Sequence, residues 1–301
     1  MSDRFAFALC LTHDVDRPYK TYQGLYEAVR TGSRERLASV LPGRNPYWQF
    51  EEIATLERRL GVRSAFYFLS EPSLLAREPS AWVSPANWIE HAGRYDVTAT
   101  ALADVIRRLD ADGWEVGLHG SRDAATDRDR LAHEKEQLEA ILGHPVSGGR
   151  HHHLALDRPA TWQNHSDVGL SYDSSLGSTT SFGFQHGYEP LSPFGDEFTV
   201  FPLTLMDQTL PSPGTAPDEA WAACEDLLRE AADNEAVMTV LWHPRYFNAQ
   251  EFPGYRRLYR RLVDRALEMD AWVGPPGRLH EQLVESAADR ATWSGLPPLR
   301  T

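Results

Sequence analysis

The sequence predicts an α/β fold in which parallel strands alternate with helices and form a barrel of about seven strands. Short apolar runs alternate with segments of helical period along nearly the whole chain. Helical segments of about 10–15 residues separate most of these runs, which is the spacing of βαβ units in a parallel sheet. Carboxylates and imidazoles follow several of the runs, and in a parallel barrel the functional side chains stand at the carboxyl ends of the strands.

Each predicted strand is a short apolar run, of which the first has the sequence FAFALCLT and the sixth is rich in β-branched residues. The predicted strands are Phe5–Thr12, Arg63–Leu69, Trp114–Leu118, Val146–Arg150, Glu197–Leu203, Ala236–Trp242 and Ala271–Gly274. The segments between them have apolar residues at helical spacing, and the third helix should stop at Gly143. The predicted helices are Trp48–Leu60, Ala101–Asp110, Arg128–Leu142, Pro159–Val168, Pro217–Ala232, Gly254–Met269 and a short helix near Leu279–Glu285.

We expect one barrel domain over residues 1–301, because no segment has linker composition and no internal repeat is visible. Two stretches interrupt the alternation. Ser70–Thr100 is rich in Pro, Trp and Ser, and we expect it to form an excursion over one face of the barrel. Gly177–Gly195 is rich in Gly, Ser and Phe, and we expect it to form a loop on the substrate side.

The charge balance argues against a nucleic-acid-binding protein. The formal net charge is −13 and no run of Lys and Arg is present, whereas nucleic-acid binders have a basic surface. Only Lys20 and Lys135 are lysines. Few lysines and many carboxylates favour a halophilic protein from a salt-rich cytosol. A GC-rich genome that prefers arginine codons is the alternative explanation.

The chain begins MSDRFAFALCLTHDVD, without the basic and apolar regions of a secretory signal. No apolar run approaches about 18 residues. We therefore expect a cytoplasmic protein without a membrane span. Cys10 and Cys224 lie in apolar segments, and we expect two buried thiols instead of a disulfide.

Four predicted strands end in residues that can bind metals or transfer protons. These ends have the sequences THDVD (residues 12–16), GLHGS (117–121), GRHHH (149–153) and LWHP (241–244). Because the carboxyl ends of parallel strands meet at one barrel mouth, we expect these side chains to form a single site.

Asp14 and Asp16 are two residues apart, so their side chains point the same way in extended backbone, whereas His13 should face away. Two close carboxylates cannot both ionise cheaply unless a cation or an arginine lies between them. An Asp-rich turn is the structural alternative. His119 and His243 each stand at a predicted strand end, which favours function over a packed structural imidazole.

These blocks resemble the motifs of the NodB-type polysaccharide deacetylases, which fold as an irregular (β/α) barrel. The family has an Asp pair after strand one, a His-containing turn after strand three, an Arg block after strand four and a late Leu-x-His. Here THDVD, EVGLHGS, GGRHHHL and LWHP occur in that order between Phe5 and His243. The segment YDSS at 172–175 is similar to an element of the peptidoglycan-deacetylase and allantoinase-like branch.

The resemblance implies a role for each matching residue. Asp14 matches the general base, Arg150 the arginine that pairs with it, and His243 the general acid. Asp16 matches the metal-binding carboxylate and His119 the first metal histidine. The resemblance implies hydrolysis of a non-peptide carbon–nitrogen bond, as in N-deacetylation of an amino-sugar-containing glycan or its precursor. The cofactor would be a divalent cation, and zinc suits a His/carboxylate shell with an open position.

The family's second metal histidine lies four residues after the first, a position that is Asp123 here. Either Asp123 is a ligand, or another residue such as His152 is, or the metal site is degraded. We predict His152, because alternation along the fourth strand would place it on the side of Arg150, with His151 on the opposite side. Arg122 and Arg128 offer Asp123 ordinary salt-bridge partners.

Two other functions stay open. A non-catalytic glycan-binding barrel would keep the fold and lose the metal, although it would need neither an acid nor a base. A ureide or cyclic-amide hydrolase of allantoinase-like type would keep the chemistry and change the substrate. In the catalytic cases we expect a carbohydrate or another small amide as substrate, and no nucleic-acid partner.

Overall fold

The computed structural model describes residues 5–20, 45–71, 82–83 and 94–288. Within these residues nine strands form one sheet, and every pairing between the strands is parallel. The strands are β1 (Ala8–Val15), β2 (Ala65–Leu69), β3 (Glu115–Gly120), β4 (Gly148–His151), β5 (Tyr172–Asp173), β6 (Thr199–Val200), β7 (Leu203–Met206), β8 (Val237–Leu241) and β9 (Trp272–Gly274). Their order is β6-β5-β4-β3-β2-β1-β8-β7, with β9 also paired to β1.

The parallel α/β sheet confirms the predicted fold class, although it has nine strands instead of about seven. The predicted strand Glu197–Leu203 divides into β6 and β7 around Pro202, which has no N–H to donate to a ladder. The sequence does not predict β5, because a strand of two residues is too short to show a period.

Seven helices follow strands along the described chain. They are α1 (Phe50–Leu60), α2 (Thr100–Ala111), α3 (Arg128–Leu142), α4 (Ala160–Asp167), α5 (Pro217–Asp233), α6 (Tyr255–Glu268) and α7 (Pro276–Ala288). The side chain of Asp127 caps the start of α3, and Gly143 ends that helix in a left-handed conformation with φ of 82°. The predicted stop at Gly143 is therefore confirmed.

Strand β1 lies at the centre of the fold, and all of its residues are buried. It pairs with β8 along Ala8–Thr12, with β9 along Ala8–Cys10 and with β2 along Thr12–Val15. Three neighbouring strands therefore fix the position at which β1 ends.

Alternation along β1 separates the barrel interior from the layer of helices. Ala8 and Cys10 pack with Tyr172 in one buried cluster. Leu9 and Leu11 pack in a larger cluster that includes apolar residues of the helices. The even-numbered residues of β1 thus face the interior.

Residues 72–81 and 84–93 of the predicted excursion at Ser70–Thr100 lie outside the described residues. The predicted loop at Gly177–Gly195 has no helix, and Leu191 forms an isolated antiparallel bridge with Val200. Cys10 and Cys224 are buried free thiols, as predicted. None of the helices in the described part of the chain is long and apolar enough to cross a bilayer.

Candidate active site

The residues predicted to carry the chemistry line one pocket of about 460 Å³. Asp14 and Asp16 continue the interior-facing series of β1 and so reach the mouth of the barrel. His119 lies in β3, His152 follows β4 and His243 follows β8, and all three line the same pocket.

The buried guanidinium of Arg150 fixes the carboxylate of Asp14. Nη1 of Arg150 donates to Oδ1 of Asp14 at 2.8 Å and to Oγ1 of Thr12 at 2.9 Å. Nε donates to the carbonyl oxygen of Ser174 at 2.8 Å, and Nη2 donates to Oγ of the same serine at 2.9 Å. Ser174 belongs to the YDSS segment, so this segment accepts two hydrogen bonds from the guanidinium. A buried guanidinium with these partners fixes the orientation of the Asp14 carboxylate.

The carboxylate of Asp16 stands at the centre of the site. Its Oδ1 lies 3.1 Å from Nε2 of His119 and 3.8 Å from Nε2 of His152. Its Oδ2 lies 3.4 Å from Nε2 of His243 and 3.3 Å from Nη1 of Arg245. Burial alone would raise the pKa of Asp16, but His243, the hydrogen bond from His119 and the charge of His152 hold it well below its usual range.

A backbone carbonyl sets the tautomer of His119. Nδ1 of His119 lies 2.8 Å from the carbonyl oxygen of Arg150, which can only accept, so Nδ1 has the hydrogen. The hydrogen bond from Nε2 to Oδ1 of Asp16 at 3.1 Å then requires the doubly protonated ring, whereas the neutral ring has its lone pair on Nε2, on the side of Asp16. This is the orientation of a metal-binding histidine, whose other nitrogen donates to a backbone carbonyl or a carboxylate. Burial alone would lower the pKa of His119, but Asp14 and Asp16 raise it.

Asp16, His119 and His152 together form a donor set that fits a divalent cation. One ligand atom from each lies within 4.8 Å of the others. Two imidazoles and a carboxylate are ligands that suit zinc. Asp123 lies apart from this group, because its side chain is 49% exposed and its Oδ2 is 3.1 Å from Nη1 of Arg130.

The arginine that pairs with Asp123 is therefore Arg130, and the sequence-based choice of Arg122 or Arg128 was wrong. Asp123 begins a short 3-10 helix, and Arg130 lies in the first turn of α3 that follows it.

His152 directly follows β4 and lines the pocket. β4 ends at His151, and His152 begins a 3-10 turn in which His153 has a left-handed φ of 59°. The backbone is still extended at His151, with φ of −77° and ψ of 140°, so the side chains of Arg150 and His152 leave the chain on the same side. His151 is buried away from the pocket, with Nε2 2.8 Å from Nε2 of His165.

Asp207 orients His243. The backbone N–H of His243 donates to Oδ2 of Asp207 at 2.5 Å, and its Nδ1 lies 2.8 Å from the same oxygen. Because Asp207 accepts from Nδ1–H, Nε2 is the nitrogen that faces Asp16 and the pocket. Burial alone would lower the pKa of His243, but the carboxylates of Asp207 and Asp16 raise it.

Sequence analysis missed Asp207 and Arg245. Asp207 directly follows β7, so it repeats the pattern of a carboxylate after a strand, but the predicted strand ended at Leu203. Arg245 lies two residues after His243, and no sequence motif marks it as a site residue. Its contact with Asp16 depends on the short 3-10 helix Pro244–Phe247.

His13 faces away from the pocket, as alternation along β1 predicts. Its Nε2 lies 2.9 Å from Oε1 of the fully buried Glu57, and its Nδ1 lies 2.5 Å from the carbonyl oxygen of Trp242. Glu57 also accepts from the indole Nε1–H of Trp114 at 2.6 Å. His13 thereby links the ends of β1 and β8 to α1.

The walls of the pocket come from connecting segments. Tyr47 precedes α1, Thr179 belongs to the loop Gly177–Gly195, and Phe252 precedes α6. None of the three lies in a helix or a strand. The strand ends therefore supply the polar centre, and the connections supply the surface around it.

Three solved structures are similar to this chain over nearly its full length. A protein from Mycobacterium smegmatis classed as a polysaccharide deacetylase has a TM-score of 0.60 and 18% identity, and the match covers 98% of this chain and 96% of that chain. A protein from Pseudomonas aeruginosa PAO1 classed in the same way has a TM-score of 0.60 and 14% identity, with 96% and 93% covered. The allantoinase Puue has a TM-score of 0.55 and 15% identity, with 92% and 90% covered.

No protein-family model matches the sequence, and no curated protein matches it significantly. The structural similarity extends over the whole order of strands and helices, at identities that establish a shared fold. The chain therefore shares the fold of these three proteins, a barrel of parallel strands and helices.

Proposed function

We propose that this protein is a metal-dependent hydrolase that cleaves a non-peptide amide bond by N-deacetylation of an amino-sugar-containing glycan or precursor. One observation carries the proposal. A carboxylate held by a buried arginine and an imidazole held by a buried carboxylate both line the pocket that contains the Asp16, His119 and His152 donor set. A general base, a general acid and a candidate metal site in one pocket are the requirements of amide hydrolysis.

Asp14 is the proposed general base. Arg150 occupies its Oδ1, and its Oδ2 lies 3.9 Å from Nδ1 of His119. The hydrogen on that Nδ1 is committed to a backbone carbonyl, so Oδ2 is the oxygen that can accept a proton from the attacking water. Arg150 holds the carboxylate in position for that transfer.

His243 is the proposed general acid. Asp207 holds the Nδ1 side of the ring, so Nε2 is the atom that can donate a proton to the departing amine nitrogen. The charge of Asp207 also stabilises the imidazolium before the transfer. Asp14 and His243 thus perform the two proton transfers from the ends of the neighbouring strands β1 and β8.

Asp16, His119 and His152 would hold the cation, for which we propose zinc. A divalent cation bound there polarises the amide carbonyl and lowers the pKa of water. The carbonyl oxygen of Arg150 fixes the ring of His119 so that Nε2 faces the site.

A ureide or cyclic amide is the second candidate substrate. The observation that favours it is the similarity of fold to an allantoinase, a structure with a TM-score of 0.55. Cyclic-amide hydrolysis would use the same base and acid. The two candidates differ in the substrate that the walls of the pocket accept.

Metal analysis and an acetate-release assay test the proposal together. The purified protein should bind about one zinc per chain and release acetate from N-acetylated amino sugars or their oligomers. A ring-opened ureide acid formed from allantoin, without acetate release, would favour the second candidate. A chain that binds no divalent cation and hydrolyses neither class of substrate would be a non-catalytic barrel, and the proposal would be wrong.

A further inference from the structure

Among the described residues, three arginines line the pocket: Arg17, Arg94 and Arg245. The chain as a whole has a net charge of −13, so this group of cations contrasts with the rest of the protein. The carboxylates at the centre of the pocket already have cationic partners within the protein. Asp14 is bound by Arg150 at 2.8 Å, and Asp16 lies 3.3 Å from Arg245.

Arg17 differs from the other two. It is half-buried, and across the described ranges of the chain it has no hydrogen bond, ion pair or ring contact. Arg94 and Arg245 both have partners. Every other described arginine that is not largely exposed also has one, as in Arg63, Arg130, Arg150 and Arg265. Among the described arginines that are not largely exposed, Arg17 is therefore the one without a partner.

A guanidinium has five donors, no acceptor and a permanent charge. Partial burial removes some of its water, and that loss is offset only when an acceptor replaces the water. Carboxylates and phosphates fit its planar donor fork by paired charge-assisted hydrogen bonds. An unpartnered guanidinium that lines a ligand pocket thus has the chemistry of an anion-binding subsite.

The position of Arg17 fixes where such an anion would be bound. Arg17 directly follows Asp16 in the chain, so its subsite adjoins the metal donor set. The pocket volume of about 460 Å³ is of the size that encloses one small ligand. The reacting amide and the anion would then belong to the same small molecule or the same sugar residue.

We infer that the substrate bears a carboxylate or phosphate group next to the amide that is cleaved, and that Arg17 binds this group and selects anionic over neutral substrates. The inference rests on the proposed function for the position of the amide. It assigns the substrate to the acidic or phosphorylated N-acetylated amino sugars.

Binding measurements with matched probes test the inference. Isothermal titration calorimetry of the full chain would compare N-acetylglucosamine with N-acetylglucosamine 6-phosphate and with N-acetylmuramic acid. The first probe is neutral, the second has a phosphate and the third a carboxylate, so the two anionic arms distinguish the sources. We expect at least one anionic probe to bind about tenfold or more tightly than the neutral one.

Substitutions of Arg17 give the second half of the test. Arg17→Gln should weaken binding of the preferred anionic probe by about 10–100-fold and leave the neutral probe unchanged. Arg17→Lys should restore part of the loss, because it keeps the charge but not the planar fork. Arg257→Gln, an exposed arginine of α6 outside the pocket, is the matched control and should change neither affinity. The thermal midpoint of each variant checks that it folds.

Equal affinity for the neutral probe and both anionic probes would overturn the inference, as would a preference that Arg17→Gln leaves intact. Acetate release is measured separately on the same probes. An Arg17-dependent preference without acetate release would contradict the proposed function alone. Acetate release at equal rates from neutral and anionic probes, unchanged in Arg17→Gln, would contradict the inference alone.

Discussion

Asp207 accepts two hydrogen bonds from His243, one from the backbone N–H at 2.5 Å and one from Nδ1–H at 2.8 Å. The carboxylate is fully buried at the end of β7, and the imidazole stands at the end of β8. Two neighbouring strands therefore set both the position and the tautomer of the proposed acid.

Asp207→Asn should reduce kcat by about 10²–10⁴-fold, because the neutral amide removes the charge that stabilises the imidazolium and can turn its NH2 donor toward Nδ1, which favours the other tautomer. The zinc content should be unchanged, since Asp207 is not in the donor set. Asp226→Asn, an exposed carboxylate of α5, is the control. A variant that keeps wild-type kcat would show that His243 does not need Asp207 for proton transfer.

Asp14→Asn should abolish turnover while zinc binding persists. The variant loses the proposed base, and we expect a reduction of about 10²–10⁴-fold or more. Because Arg150 loses its anionic partner, the thermal midpoint must be measured with the rate. More than about a tenth of the wild-type rate in a folded variant would contradict the assignment of Asp14.

His152→Ala should lose zinc and activity together, whereas Asp123→Ala should keep both. His152 belongs to the group of ligand atoms within 4.8 Å of one another, and Asp123 is bound to Arg130 on a half-exposed surface. Zinc affinity by calorimetry and acetate release would be measured for both variants. Loss of zinc in Asp123→Ala alone would reverse the choice of ligand.

Glu115→Gln should make stability less dependent on pH. Burial raises the pKa of Glu115 from 4.5 to about 7, although hydrogen bonds from Tyr172 and Gly277 partly oppose the shift. A raised carboxyl pKa means that the folded state favours the neutral acid, so this stabilisation is complete below pH 4.5 and is lost as the pH rises through about 7. The loss is about 1–3 kcal/mol.

Denaturant unfolding of Glu115→Gln at pH 5 and pH 8 would check this prediction. The variant should lose less stability than the wild type between the two values, but not become independent of pH, because burial also raises the pKa of Glu134 to about 7. Glu136→Gln, an exposed residue of α3, should behave as the wild type. An unchanged pH dependence in Glu115→Gln would contradict the assignment.

The protein should unfold more readily when salt is removed. A net charge of −13 with two lysines leaves repulsion among carboxylates unscreened at low ionic strength. Thermal unfolding from dilute buffer to molar KCl would measure the midpoint. A midpoint that stays flat or falls with rising salt would rule out the halophilic interpretation and favour codon preference.

The centre of the site could be predicted because strand ends are local features of a sequence. Asp14, Asp16, His119 and His243 each follow an apolar run directly, and a parallel sheet brings such ends together. His152 lies on the side that alternation predicts, because the backbone is still extended at His151, whereas the left-handed φ of 59° at His153 could not be predicted from a residue that is not glycine. Geometry of this kind is set by neighbouring elements.

Residues whose side-chain contacts join two elements of secondary structure were harder to predict. Asp207 depends on β7, a strand of four residues that follows Pro202, and Arg245 depends on a turn after β8. Glu57 is on the outer helix α1, yet it is fully buried and lies 2.9 Å from His13, a contact that spans 44 residues. Such contacts depend on how the elements pack together, and no periodic pattern in the sequence predicts them.

Strand ends supply the polar centre of the site and connecting segments supply its walls, so the walls can change while the centre stays in place. Tyr47, Thr179 and Phe252 shape the cavity from segments that contribute nothing to the ladder of the sheet. Insertions or exchanges there can alter which molecules enter without moving Asp14 or His243, whose positions depend on β1 and β8. Descendants of such a chain can diversify in specificity while retaining one chemistry, and a laboratory library confined to these three segments should sample new substrates at little cost in stability.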